Sequence, residues 1–247
     1  MSGRHIQLES AAMGRKVHLW AYGHAGQPII VFPSAAGFAH EWDAQGMVGV
    51  LQPFLDKGKI RLYCPESNVA EAWTRKESPL PWRMERHQAY ERFVGETLVP
   101  FVRHDARIPE AAPLWTMGCS LGAMYAANFA LKQPRVFRRA ICMSGRYLAT
   151  ALTNGETCEA LYFQNTLAFV RGMGGDYLEL VRKNTQITLV CGQGPYEEGC
   201  IEETIALGEL LDKKGIPNWT DIWGKDSRHD WDWWRKQVVY HLTHALR

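Results

Sequence analysis

The chain has 247 residues, 46% hydrophobic and 22% charged, and its 28 basic and 26 acidic side chains leave a net charge of +2. This is the composition of a globular protein with apolar mass for a substantial core, and the absence of a basic stripe points away from nucleic acid and anionic membrane surfaces. The opening MSGRHIQLES has no apolar signal core, and no run approaches the roughly 18 apolar residues of a membrane span, so a cytoplasmic protein is expected.

In chain order, KVHLWAY (16–22) alternates as an early strand, and PIIVFP (28–33) is a continuous apolar run bounded by prolines, as in a strand buried on both faces. IRLYCP (60–65) is another such run. Tyr90, Phe93, Val94, Thr97, Leu98 and Phe101 then fall at spacings of three and four, which predicts one face of a helix. PLWTMGC reads as a strand, LGAMYAANFALKQ as a helix stopped by Pro134, and RRAICMSG as a strand. QITLVCG (strand), IEETIALGELLDKKG (helix), WTDIWG (strand) and WDWWRKQVVYHLTHAL (helix) complete the alternation. Strands alternating with helices predict a single α/β domain over 1–247, with a mostly parallel sheet covered on both faces. The stretch 145–184 fits least and is expected to be a cap-like excursion over the sheet. Cysteines 64, 119, 142, 158, 191 and 200 show no C-x-x-C spacing and are expected to be free, largely buried thiols.

Gly118-Cys119-Ser120-Leu121-Gly122 matches G-x-S-x-G between a predicted strand and a predicted helix, the setting in which this motif presents a nucleophilic serine. The glycines relieve a strained turn, and the helix start aims free N–H groups at the site. A serine needs a base, and the base needs a group to hold its tautomer. In this architecture the order is serine, acid, histidine. His229 follows the last predicted strand, with Asp230 placed to cap the next helix. Six other histidines precede Ser120, and His241 and His244 lie within the final helix. The loop after QITLVCG carries Glu197 and Glu198; Glu197 is favoured as the acid, Glu198 suits the helix start, Asp226 competes, and Asp176 ranks third. For an oxyanion hole, Leu121 N–H is one expected donor. The second is expected in the small-residue loop after PIIVFP, with Ala35 first and Ala36 next. No nucleotide-binding glycine motif and no clustered metal ligands occur, so no cofactor and no metal are expected.

The segments GCSLGA, RAICMSG, VCGQGPYEE and DSRHDWDWW together resemble the esterase D-like branch of the α/β-hydrolase superfamily, which includes S-formylglutathione hydrolases and, more distantly, mycolyltransferases. The resemblance is strongest over 114–240. It implies small-acyl esterase activity, with Ser120 as nucleophile, His229 as base and Glu197 as acid. Many members carry aspartate in the acid loop, where this chain has Glu197-Glu198.

Ten tryptophans are present, and those on loops near strand ends, Trp73, Trp82 and Trp231, are candidates to line an acyl or aryl pocket, with Trp234 assigned to the core. The expected function is that of a serine carboxylesterase acting on a small-molecule ester, with a homo-oligomer left open. An acyltransferase shares the same acyl-enzyme, and a non-catalytic binding protein on the same fold is the remaining class.

Overall fold

A computed structural model describes residues 3–247. Eight strands form one sheet: β1 (Arg4–Ser10), β2 (Arg15–Tyr22), β3 (Gln27–Phe32), β4 (Ile60–Pro65), β5 (Leu114–Cys119), β6 (Phe137–Met143), β7 (Gln186–Cys191) and β8 (Asn218–Ile222). Their spatial order is β1-β2-β4-β3-β5-β6-β7-β8. β1, β2 and β4 pair antiparallel, and every pairing from β4 onward is parallel. The apolar runs occupy the centre because a strand covered on both faces has no room for polar side chains. β1 was not expected as a strand; its alternation of half-buried Ile6 and Leu8 with exposed His5, Gln7 and Glu9 is that of an edge strand with one solvated face.

The period of two sorts the side chains into two cores. Ile30 and Phe32 join Phe93, Phe129 and Leu207 on one face. Ile29 and Val31 join Trp42, Leu51, Trp234 and Val238 on the other. Between β4 and β5, helices Leu80–Phe93 and Val99–Ala106 are joined by a π-helical turn, Val94–Leu98, rather than forming one uninterrupted α-helix. Pro100 accounts for the break: it lacks the N–H that would bond the carbonyl of Glu96, and its ring displaces that carbonyl.

Residues 145–184 form the crossover from β6 to β7 and hold four short helices: Ala149–Leu152, Glu159–Tyr162, Thr166–Gly172 and Gly175–Asn184. Thr166–Gly172 packs against the helices Leu121–Lys132 and Cys200–Lys213, and Glu159–Tyr162 against Leu80–Phe93. All six cysteines are free thiols, and five are buried. Among the described residues no helix is long and apolar enough to cross a membrane.

Candidate active site

The parallel strands end on one side of the sheet, and the turns leaving β3, β5, β6, β7 and β8 gather there. Ser120 sits between β5 and the helix Leu121–Lys132 with φ +54 and ψ −122, a conformation that costs a non-glycine residue about 1–3 kcal/mol. The turn is pinned by Ser120 N–H donating to the Met143 carbonyl at 2.8 Å. A Cβ at Gly118 would collide with the Gly122 backbone, and one at Gly122 with the Phe32 and Pro33 carbonyls, so strand and helix approach this closely only through glycine. Cys119, beside the serine, is wholly buried, and burial raises its thiol well above the usual range.

His229 reaches this serine from the loop after β8: its Nε2 lies 3.0 Å from Ser120 Oγ and its Nδ1 lies 3.1 Å from Glu197 Oε2. An ionised carboxylate only accepts, so Nδ1 carries the ring proton and Nε2 is left to accept from the serine hydroxyl. The loops after β7 and β8 are laced together by Gly194 N–H to the Ser227 carbonyl at 2.7 Å and His229 N–H to the Pro195 carbonyl at 3.1 Å. Asp230 caps the following helix, accepting from Trp233 N–H at 3.1 Å.

Glu197 is 1% exposed, and its oxygens are accounted for. Oε1 accepts from Ser144 Oγ at 2.6 Å and Gly192 N–H at 3.3 Å; Oε2 accepts from the Cys191 thiol at 3.4 Å as well as from His229. A buried carboxylate without such partners would be too costly to keep ionised. Of the competing acids, Glu198, Asp226 and Asp176 are all exposed. Tyr196, in the left-handed region at φ +67, turns the chain so that Glu197 faces inward and Glu198 outward.

Ser144 and the contact between Trp234 and His229 escaped the sequence reading. Ser144 directly follows β6, fully buried at φ +50, and its Oγ also accepts from Trp234 Nε1 at 2.9 Å. The Trp234 ring stands edge-on to the His229 imidazole with centroids 4.8 Å apart. Trp234 is therefore a core residue, as expected, and also a wall for the imidazole. The predicted strand RRAICMSG, which includes Ser144, was the available signal.

Leu121 opens its helix, so its N–H lies ahead of the first helical hydrogen bond. In the loop after β3, the buried Glu41 carboxylate accepts from Ser34 N–H and Ser34 Oγ, both at 2.6 Å, and Ser67 N–H bonds the Gly37 carbonyl at 2.9 Å. Burial raises the Glu41 pKa, and the two Ser34 hydrogen bonds oppose that rise. Ala35 and Ala36 N–H groups have no acceptor among the described residues.

The tryptophans divide. Trp73 is corrected from pocket candidate to core: it is 3% exposed, and its Nε1 donates to Tyr125 Oη at 2.9 Å. Trp82 is 37% exposed beneath the Arg75 guanidinium, 5.3 Å from its ring centroid. Trp231 is half-buried, edge-on to Trp234 at 4.9 Å, one ring removed from His229. A cavity of about 400 Å³ lined by Pro81, Glu85, Gln88, Cys158 and Phe163 includes none of Ser120, His229 and Glu197. Cys200 Sγ lies 3.8 Å from His229 Nδ1, and with Glu197 these ligand atoms lie within 4.8 Å of one another. His241, within the final helix, lies 3.2 Å from Asp221, a second histidine–carboxylate pair.

The sequence profile of the Putative esterase family matches residues 63–245. The chain belongs to that family. No curated protein matches it. Among solved structures, this esterase-family chain is similar to a ferulic acid esterase (16% identity, TM-score 0.78) over 100% of its length and 98% of the other chain. It is similar to Mycobacterium tuberculosis MPT51 (FbpC1) at 13% identity and TM-score 0.78, again over 100% and 98% of the two chains. It is also similar to an S-formylglutathione hydrolase from Agrobacterium tumefaciens at 14% identity and TM-score 0.75, over 100% and 98%. At these identities the likeness establishes the α/β-hydrolase fold.

Proposed function

We propose that the protein is a serine carboxylesterase working through an acyl-enzyme. The observation that carries this reading is the hydrogen-bonded line from Ser120 Oγ through the imidazole to the buried Glu197 carboxylate, mounted on a strained elbow. Ser120 Oγ attacks the ester carbonyl while His229 Nε2 takes its proton, and Glu197 holds the tautomer and stabilises the imidazolium. Leu121 and Ala35 N–H groups donate to the oxyanion, each worth about 10²–10³ in rate by analogy with a single-donor deletion. The imidazolium protonates the leaving alcohol; His229 then takes a proton from the attacking water and returns it to Ser120 Oγ as the acid is released. A cytoplasmic setting accords with six free thiols. An acyltransferase differs only in that an alcohol replaces the water.

The test is hydrolysis of p-nitrophenyl acetate, butyrate and octanoate by wild type and Ser120→Ala, with fluorophosphonate labelling located by mass spectrometry. Turnover and label lost together in Ser120→Ala are expected. A wild type that neither turns over nor labels at Ser120 would sink the reading in favour of a binding protein. Diversion of product into a new ester by added alcohol would replace hydrolase with transferase.

A further inference from the structure

Behind the imidazole, on the side away from Ser120, three chemically different metal-binding atoms converge. Cys200 Sγ and Glu197 Oε2 lie 3.8 and 3.1 Å from His229 Nδ1, and the three ligand groups lie within 4.8 Å of one another. Zinc binds thiolate at about 2.3 Å and imidazole nitrogen or carboxylate oxygen at about 2.0–2.2 Å. At tetrahedral angles these lengths separate sulfur from nitrogen by about 3.6 Å and nitrogen from oxygen by about 3.4 Å. The observed spacings come within a few tenths of an ångström of both.

We propose that Cys200, Glu197 and His229 form an inhibitory site for a thiophilic divalent cation, zinc foremost, which captures the imidazole through Nδ1 and disables it as a base. The proposal rests on the esterase reading above for its functional consequence, though not for the binding itself. The donor set chooses the metal: one sulfur, one nitrogen and one oxygen suit zinc, whereas magnesium and calcium require oxygen throughout.

The proton accounting explains the inhibition. Coordination uses the Nδ1 lone pair, so the single proton of the neutral ring moves to Nε2. The Cys200 thiol loses its own proton to solvent, and Glu197 binds as the carboxylate it already is. Nε2–H then donates to Ser120 Oγ and has no lone pair left to take the serine proton. Three protein ligands leave a fourth position for water. Burial pushes the Cys200 thiol up to about 12, which leaves it inert as a free nucleophile. A bound zinc ion deprotonates a coordinating thiol outright, so the metal reaches a state that the free side chain does not. Sequence spacing shows nothing of this trio, because its members come from two loops and a helix start.

The experiment compares wild type, Cys200→Ser, Cys200→Ala and, as a thiol outside the trio, Cys158→Ser. Cobalt(II) is added first, followed by absorption in the thiolate-to-metal charge-transfer region. Zinc chloride is then titrated against p-nitrophenyl acetate turnover, each variant scaled to its own metal-free rate, with EDTA reversal. Wild type and Cys158→Ser are expected to show the thiolate band, displaced by zinc, and both Cys200 variants to lack it. The half-inhibiting zinc concentration is expected to rise by at least about tenfold in both Cys200 variants. Zinc sensitivity unchanged by either Cys200 variant, or a wild type without the band, would overturn the proposal. A wild type that shows the band but has no metal-free turnover would uphold the metal trio and sink the esterase reading instead.

Discussion

Ser144 Oγ donates to Glu197 Oε1 at 2.6 Å and accepts from Trp234 Nε1–H at 2.9 Å, so one buried hydroxyl ties the carboxylate to the ring that walls the imidazole. Hydrogen bonds to charged groups are worth about 1.5–3 kcal/mol, and one lost here leaves Glu197 under-satisfied. Ser144→Ala is therefore expected to lower kcat by about tenfold or more with KM little changed. Steady-state kinetics on p-nitrophenyl acetate check this; a KM effect with kcat intact would reassign Ser144 to substrate binding.

The acid can be chosen by three conservative amides. Glu197→Gln keeps the shape but removes the acceptor that selects the Nδ1–H tautomer, and is expected to cost about 10³–10⁴ in kcat. Glu198→Gln and Asp226→Asn, both at exposed positions, are expected to stay within about twofold of wild type. Equal losses in Glu197→Gln and Asp226→Asn would refute the assignment.

Two glycines separate close packing from open space. At Gly122 an added methyl meets the Phe32 and Pro33 carbonyls, whereas at Gly49, inside the helix Met47–Asp56, nothing lies within 4 Å. Gly122→Ala is expected to destabilise by more than about 2 kcal/mol, and Gly49→Ala to stabilise by up to about 1 kcal/mol. Urea unfolding midpoints test both; an unaffected Gly122→Ala would show that β3 and the elbow helix separate easily.

Burial pushes His87 down to about 4, from an ordinary 6.5, and its Nδ1 has no hydrogen-bond partner among the described residues. Between those values the unfolded chain binds the proton and the folded chain does not. This contribution is full above about pH 6.5 and is lost as pH falls toward 4. His241, also pushed down to about 4 by burial, adds in the same direction. Unfolding free energy is expected to fall by up to a few kcal/mol between about pH 7 and pH 4.5, with a shallower slope in His87→Gln. An identical slope in the variant would remove His87 from the account.

The alternation of strand and helix, the glycine-flanked serine and the histidine after the last strand were readable along the chain, because each depends on periodicity or neighbours within a few residues. The edge strand β1 was less legible, since its one buried face leaves only Ile6 and Leu8 as apolar markers. The π turn at Val94–Leu98 preserves the helical face that the spacing predicts and needs Pro100 to explain its irregularity. What the tertiary structure alone decided is which side chain points where. Glu197 and Glu198 are adjacent and chemically alike, and only the left-handed turn at Tyr196 sends the first inward and the second to solvent. Trp73 sits near a strand end in sequence, yet its indole finds a partner in the core at Tyr125. Trp234 and Cys200 reach the imidazole from 5 and 29 residues away, and Ser144 reaches the Trp234 indole from 90 residues away. A local pattern specifies backbone shape, whereas the convergence of distant side chains depends on how strands and helices close around a common core.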